Sequence, residues 1–181
     1  MEGKNYMGKN LFILLAGVIL FSGCSSIPTK DIRTDAQASL KTNFSGYKTY
    51  AWLGAAAILN DPYGQWKTPS FNATLEVKYL IDRELHKRGM SENSINPDLV
   101  VAFAGGVDMA SLKLKVDPES KMTVLSNVPQ AGLLVVLVDG ASGYVNWAAV
   151  ATGELQKNPS TKTAKGRLDY AVTEMFKKLP K

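Results

Sequence analysis

The side chains with the most chemical capacity lie between residues 76 and 86. His86 is the single histidine, and Asp82 precedes it by four residues, so on a helix the two share a face. A carboxylate that orients an imidazole is part of many hydrolytic sites, but such a site also needs a nucleophile. No serine motif supplies one, and the lone cysteine, Cys24, stands in a segment of a different character. Glu76, Asp82 and Glu84 offer a second chemistry, paired carboxyls for glycoside hydrolysis, which requires two of them to face a cleft at a set separation. Helical spacing gives Asp82 and Glu84 proximity without a cleft. Zinc needs three or four convergent ligands, which one histidine and one cysteine do not anchor. Asp139-Gly140-Ala141-Ser142-Gly143 superficially resembles a phosphate loop, yet it lacks the GxxxxGK[ST] spacing and runs into a strand pattern. Gly105-Gly106 likewise has no helix after it. The expectation is therefore no catalytic residue, no metal and no cofactor, with Asp82 and His86 an exposed helical ion pair.

The elements that position these residues follow from apolar periodicity. Ala73, Val77, Leu80, Ile81 and Leu85 fall on one face of a helix over residues 72–88, stopped by Gly89. Glu84 lies within the apolar arc, where an ion pair with Arg88 would suit it. Tyr47–Leu53, rich in aromatics and Thr, reads as a strand after the turn at Asn43-Phe44-Ser45-Gly46. Leu99–Ala104 is another, loosened at its end by Gly105-Gly106. Leu112, Leu114 and Val116 alternate with lysines, and Met122–Leu125 pairs back after the turn at Asp117-Pro118-Glu119-Ser120. Leu133–Val138 is continuously apolar, the pattern of a central strand buried on both faces. Beyond the 139–143 hairpin, Val145, Trp147, Ala149 and Ala151 form one face of a strand. A last helix starts near Thr161 with the stripe Leu168, Val172, Met175 and Leu179, and Pro180 closes it. Strands joined by hairpins, with two helices, predict an α+β fold: a largely antiparallel β-sheet with both helices packed on one face.

The amino terminus carries an address. Lys4 and Lys9 precede an apolar run, Leu11 to Phe21, and then Ser22-Gly23-Cys24. At about 11 residues the run is short of the roughly 20 needed to span a bilayer. It has the basic, apolar and small-residue regions of a secretory signal. A cysteine directly after the small pair makes it resemble a bacterial lipoprotein signal, in which that cysteine is fatty-acylated (palmitate being one such chain) and becomes the new amino terminus. The organisation expected is thus signal peptide 1–23, lipid-anchored tether 24–40 and a single α+β domain 41–181. The mature chain has 158 residues, 19 Lys and Arg against 15 Asp and Glu, and no dense basic block, so nucleic acid is not an expected partner. With one cysteine no intrachain disulfide forms, and the fold stands on its core. By analogy with lipoprotein sorting, Ser25 rather than Asp after the cysteine favours the outer membrane, facing the periplasm, over inner-membrane retention.

These segments together resemble the bacterial envelope-lipoprotein family of domain of unknown function 4136, over about Asn43 to Pro180. The resemblance rests on Phe44-Ser45-Gly46-Tyr47-Lys48-Thr49-Tyr50-Ala51-Trp52, on Ile81-Asp82-Arg83-Glu84-Leu85 with Arg88-Gly89, and on Asn96-Pro97-Asp98-Leu99-Val100-Val101. Leu133–Asp139 with Gly143, Val145 and Trp147, and the terminal Val172, Phe176, Leu179 and Pro180, complete it. The family usually has Trp-x-Gly where this chain has Trp147-Ala148-Ala149. The resemblance implies a compact α+β domain at the cell envelope and carries over no catalytic residue. Tyr63 and Trp66, in a Gly/Pro-punctuated loop, are the candidate contact patch, because loop aromatics on a rigid scaffold suit recognition. The function expected is a non-catalytic binding or interaction module, touching an envelope protein or peptidoglycan. The alternatives are a small-ligand or lipid-binding protein and, third, a hydrolase of envelope polymers. The intact mass of protein extracted from membranes checks the anchor: a chain starting at Cys24 with added acyl mass is expected, and a free Cys24 thiol refutes it.

Overall fold

The structure, a computed structural model, describes residues 26–40 and 42–181. Cys24 and the expected signal lie outside the described residues. In chain order the elements are β1 (Arg33–Ala38), a 3-10 turn (Phe44–Gly46), β2 (Thr49–Asn60), α1 (Ala73–His86) and β3 (Ser91–Glu92). Then come β4 (Leu99–Asp108), β5 (Leu112–Val116), β6 (Thr123–Asn127), β7 (Gln130–Asp139), β8 (Val145–Glu154) and α2 (Thr161–Phe176). Six strands form one sheet in the order β1-β8-β7-β4-β2-β3, and β5 and β6 form a separate hairpin. β4, β7, β8 and β1 pair antiparallel; β2 pairs parallel with β4, the pairing that requires a crossover, here through α1. The α+β architecture with two helices against a mostly antiparallel sheet is the one the sequence predicts.

Local chemistry sets the helix ends. Asn72 Oδ1 accepts from the Leu75 amide at 3.1 Å, and Ser160 Oγ accepts from the Thr163 amide at 3.1 Å, each meeting a donor that the first turn leaves unpaired. Gly89, at φ +79°, turns the chain out of α1. Its position lets the Met90 amide reach the Leu85 carbonyl at 3.2 Å, so the helix closes on its own carbonyls.

The core lies between the helices and one face of the sheet. Val77, Leu80, Ile81 and Leu85 of α1, and Val172, Met175 and Phe176 of α2, meet Tyr50, Leu99, Val101, Val135, Leu137 and Trp147. Trp147 stacks at a tilt on Phe176, with centroids 5.2 Å apart. Ala149 is 2% exposed, so its methyl is buried in the core.

Several expectations change. Residues 33–38, read as tether, form the edge strand β1, in register with β8 from Arg33↔Thr152 to Ala38↔Trp147. Their alternation of polar and small residues hides the strand, because only Ala36 and Ala38 touch the core. The domain therefore begins ahead of residue 41. β7 is central but not buried on both faces: Leu133, Val135 and Leu137 face the helices, while Leu134 is 41% exposed on the bare side. β4 continues through Gly105-Gly106 to Asp108, since the β2 and β7 ladders hold it on both sides. Val145 turns outward at a register shift, and Asn146 is buried instead. Arg88 does not pair with Glu84; it donates to the carbonyls of Phe176, Leu179 and Pro180 at 2.9, 2.6 and 2.7 Å, capping the end of α2.

Leu168 is only half-buried, whereas Met175 is fully buried. Met175→Ala is expected to cost roughly 2–5 kcal/mol, the range for emptying a core site. Leu168→Ala should cost less than half as much. Urea unfolding midpoints of the two variants, read at constant slope, check the ordering.

Candidate functional site

Side-chain size falls along the helix-facing surface of the sheet. At the level of the core, one row across the strands reads Trp52, Val101, Leu137 and Trp147. The next row, reached across a bulge between Trp52 and Gly54 on β2, reads Ala55, Phe103, Val135 and Ala149; the one after it reads Ala57, Gly105, Leu133 and Ala151. The helices cannot follow the sheet inward as its side chains shrink, because they are fixed by the bulky rows. The result is a cleft of about 1260 Å³ at the end of the sheet where β2 and β4 finish and both helices begin. Its walls are mostly apolar: Ala57, Gly105, Ala131 and Ala151 from strands, Val77 from α1, and Ala164, Leu168 and Ala171 from α2. Polar groups gather at the rim, among them Gln65, Lys67, Lys157 and Asn158. Lys165 bridges to Glu76 at 2.6 Å and so ties the first turns of α2 and α1 together beside the cleft.

The loop 61–71 forms a strap on one side. Asp61 accepts from the Gln65 and Trp66 amides at 2.8 and 2.6 Å, and these backbone donors, Trp66 first, hold its carboxyl below the usual carboxylate range. That turn presents Trp66, half-buried, to the cleft wall. Tyr63 in the same strap is 80% exposed and does not line the cleft. The two aromatics expected to make one patch thus take different surroundings.

A pinned segment closes the opposite side. Arg167 donates to both Asp31 carboxylate oxygens, at 2.8 and 2.6 Å, and to the carbonyls of Pro28 and Glu154. Asp31 also accepts from the Glu154 amide at 2.7 Å. The Arg167 hydrogen bond outweighs burial and brings the Asp31 carboxyl down to about 2. Gly166 leaves room for Ile27, whose side chain packs directly over its Cα.

The titratable residues singled out from sequence are engaged elsewhere. Asp82 accepts from the Tyr50 hydroxyl at 2.7 Å, the Trp52 indole at 3.1 Å and Lys78 at 3.3 Å. The Tyr50 hydroxyl also lies 3.4 Å from His86 Nε2, so it stands where a direct Asp82–His86 pair was expected. Burial and the Asp82 hydrogen bond push the Tyr50 phenol well above its ordinary range. Glu84 faces α2: burial pushes its carboxyl up, but hydrogen bonds from Lys87 and Arg83 more than offset this and hold it low. Arg83 also reaches Asp169 at 2.6 Å and Thr173 at 2.9 Å, joining the helices. Asp82 and Glu84 therefore belong to separate networks and frame no common cleft. Asp139 accepts from Ser142 and from Tyr47, which bring it to about 2 and fold the 139–143 loop as a closed hairpin. Gly140 fits there because a Cβ would strike the Pro97 carbonyl. Among the described residues no three His, Cys, Asp or Glu side chains group as a metal site. No helix among them is long and apolar enough to cross a membrane. The cleft was missed from sequence because its signal, small residues recurring near the ends of four strands, has meaning only once the strands are in register.

A family model described as "Domain of unknown function (DUF4136)" matches residues 32–181. Among solved structures, a DUF4136 family protein from Bacteroides thetaiotaomicron is similar at a TM-score of 0.50 and 9% identity, over 80% of this chain and 95% of that one. A PDZ domain protein from Parabacteroides distasonis gives 0.49 and 13%, over 84% of this chain but only 38% of the other. The PelC dodecamer from Paraburkholderia phytofirmans gives 0.42 and 16%, over 80% and 96%. At such identities the likeness concerns the fold alone. No curated protein matches the sequence.

The lowered carboxyl of Asp31 makes a pH prediction. Its ion pair contributes stability above the ordinary carboxylate value of 3.8, and loses it as the pH falls toward about 2. Asp31→Asn is expected to lower the thermal midpoint at pH 7 and to leave it near that of the parent protein at pH 2. An equal drop at both values would show that the pair is not the cause.

Proposed function

The chain belongs to the family of domain of unknown function 4136, and on that premise we propose that it is a lipid-anchored, non-catalytic binding module of the bacterial cell envelope whose ligand seat is the cleft. The observation that carries this reading is the cleft's lining. Small apolar side chains wall it, and amide and ammonium groups stand at its rim. Such a site favours an amphiphile, with an apolar body desolvated against Ala and Gly positions and a polar or anionic head at Lys67 and Lys157. Its volume suits an acyl chain or a compact lipid.

The non-catalytic part is supported by the state of the carboxylates. Glu76, Asp82 and Glu84 each hold a cation or aromatic donor in a structural bridge. In this reading the anchor is Cys24, and Ser25 after it favours the outer membrane, with the domain in the periplasm. A second reading, contact with an envelope protein or peptidoglycan, is favoured by Tyr63, whose ring projects from the strap at 80% exposure.

Gly105 provides the test. A Cβ there meets nothing within 4 Å, and the position lines the cleft, so Gly105→Leu is expected to direct its side chain into the cleft. The fluorescent amphiphile N-phenyl-1-naphthylamine is expected to brighten on titration with the parent protein. With Gly105→Leu its affinity should fall at least about tenfold, a loss of roughly 1.4 kcal/mol, while the unfolding midpoint holds. Equal binding by the two proteins refutes the cleft as seat. Hydrolysis of an envelope polymer that disappears in Glu84→Gln would refute the non-catalytic reading.

A further inference from the structure

The hairpin β5–β6 projects from the same end of the sheet as the cleft, and its two faces differ. Directly opposed residues on paired strands share a face, so Leu112, Leu114 and Val116 lie with Leu125 on one side. These side chains are exposed by 58%, 71%, 63% and 64%, and Met122, opposite Asp117 at the hairpin tip, is exposed as well. On the other side Lys113 and Lys115 reach Glu154, at 3.6 and 2.9 Å, and clip the hairpin to the end of β8. The ion pairs thus turn the apolar face away from the domain. An exposed apolar face of this kind marks an interaction surface.

Two observations identify what covers it. The first is where the chain enters. Ser26 is two residues from Cys24, a reach of at most about 7 Å. From Ile27 onward the chain is held: Ile27 packs on Gly166, and Arg167 binds Pro28 and Asp31. β1 then pairs with β8 from Thr152, so this entry lies at the hairpin's end of the sheet and not at the 139–143 end. An acyl group on Cys24 would bring that end against the bilayer. The second is charge. The segments at this end, 26–32, 61–71, 109–129 and 155–165, carry eight lysines against four carboxylates, whereas the rest of the chain after residue 25 has eleven basic and eleven acidic residues.

We propose that the apolar face of the β5–β6 hairpin seats in the lipid surface that carries the anchor, and holds the cleft mouth toward the bilayer. The occupant is an anionic lipid surface: its headgroups meet the lysine excess and its acyl region the side chains of Leu112, Leu114, Val116 and Leu125. A second copy of the chain fits less well, because it would bring two lysine-rich ends together. The orientation rests on the anchor reading of Cys24, and it needs no ligand in the cleft.

Acylation consumes the thiol of Cys24, so Met122→Cys and Ser142→Cys each offer one labelling site, at opposite ends of the domain. The full-length, membrane-extracted variants, with acyl mass verified, are labelled with a polarity-sensitive nitrobenzoxadiazole and reconstituted in phosphatidylethanolamine–phosphatidylglycerol vesicles. The label at 122 is expected to shift to the blue and to lose emission when doxyl-labelled lipid is added, and the label at 142 to do neither. Adding Leu114→Ser to Met122→Cys should reduce both responses while the protein stays with the vesicles. A protein without acyl mass would remove the anchor reading and this orientation with it. An acylated protein whose residue 122 responds no more than residue 142 would overturn the hairpin proposal alone. So would oxidative cross-linking of Met122→Cys between copies in place of quenching. Amphiphile binding by the cleft is read separately through Gly105→Leu.

Discussion

Helices rest on a sheet at a distance set by the side chains between them, and in this protein that spacing is not uniform. Trp52, Val101, Leu137 and Trp147 prop the helices up at one level, and Ala57, Gly105, Leu133 and Ala151 leave the next levels short. Close packing is reached where large residues meet Val172, Met175 and Leu85. Where small residues recur, two rigid surfaces diverge and a cleft remains. The cleft is therefore a consequence of how the core is filled, and it needs no special loop to create it.

The polar networks serve this geometry. Glu84, Arg83, Asp169 and Thr173 bind helix to helix beside the core, so that α1 and α2 hold their separation. Lys165 and Glu76 do the same next to the cleft. Asp82 takes hydrogen bonds from Tyr50 and Trp52 and fixes the two aromatics under α1. Carboxylates that look chemically available in the sequence thus act as fasteners. Asp31 and Arg167 extend the same logic to the chain's entry: they convert what would be a loose leash into a fixed point at one end of the sheet. A short link to a fixed point confers orientation as well as attachment.

Where the fold departs from the local sequence pattern, the physical causes are of one kind. Arg33–Ala38 passes for tether because an edge strand beside β8 buries only Ala36 and Ala38 against the core. Leu133–Val138 passes for a doubly buried strand because composition does not reveal that the second face has no covering layer. Helical spacing offers Glu84 the cation one turn ahead, but Arg88 satisfies the carbonyls at the end of α2, which no local rule brings near. The Gly105-Gly106 pair weakens strand propensity, yet ladders on both sides carry β4 through it. In each case a partner distant in sequence decided the outcome.

By itself the sequence determined what depends on neighbouring residues. The two helices and the stop at Gly89 follow from apolar spacing and backbone freedom. The apolar stripes, the hairpins at 117–120 and 139–143, and the α+β class follow from periodicity. The candidate contact residues Tyr63 and Trp66 were legible only as aromatics in a loop. Tertiary structure alone decided that Trp66 joins the cleft wall while Tyr63 stays outside, that Ala57, Gly105 and Ala151 fall into one row across the sheet, and that β5–β6 turns its apolar face outward. Those outcomes depend on register between strands and on ion pairs spanning dozens of residues, such as Lys115 to Glu154 and Asp31 to Arg167. Periodicity along a chain specifies which face of an element is apolar; it does not specify what that face will meet.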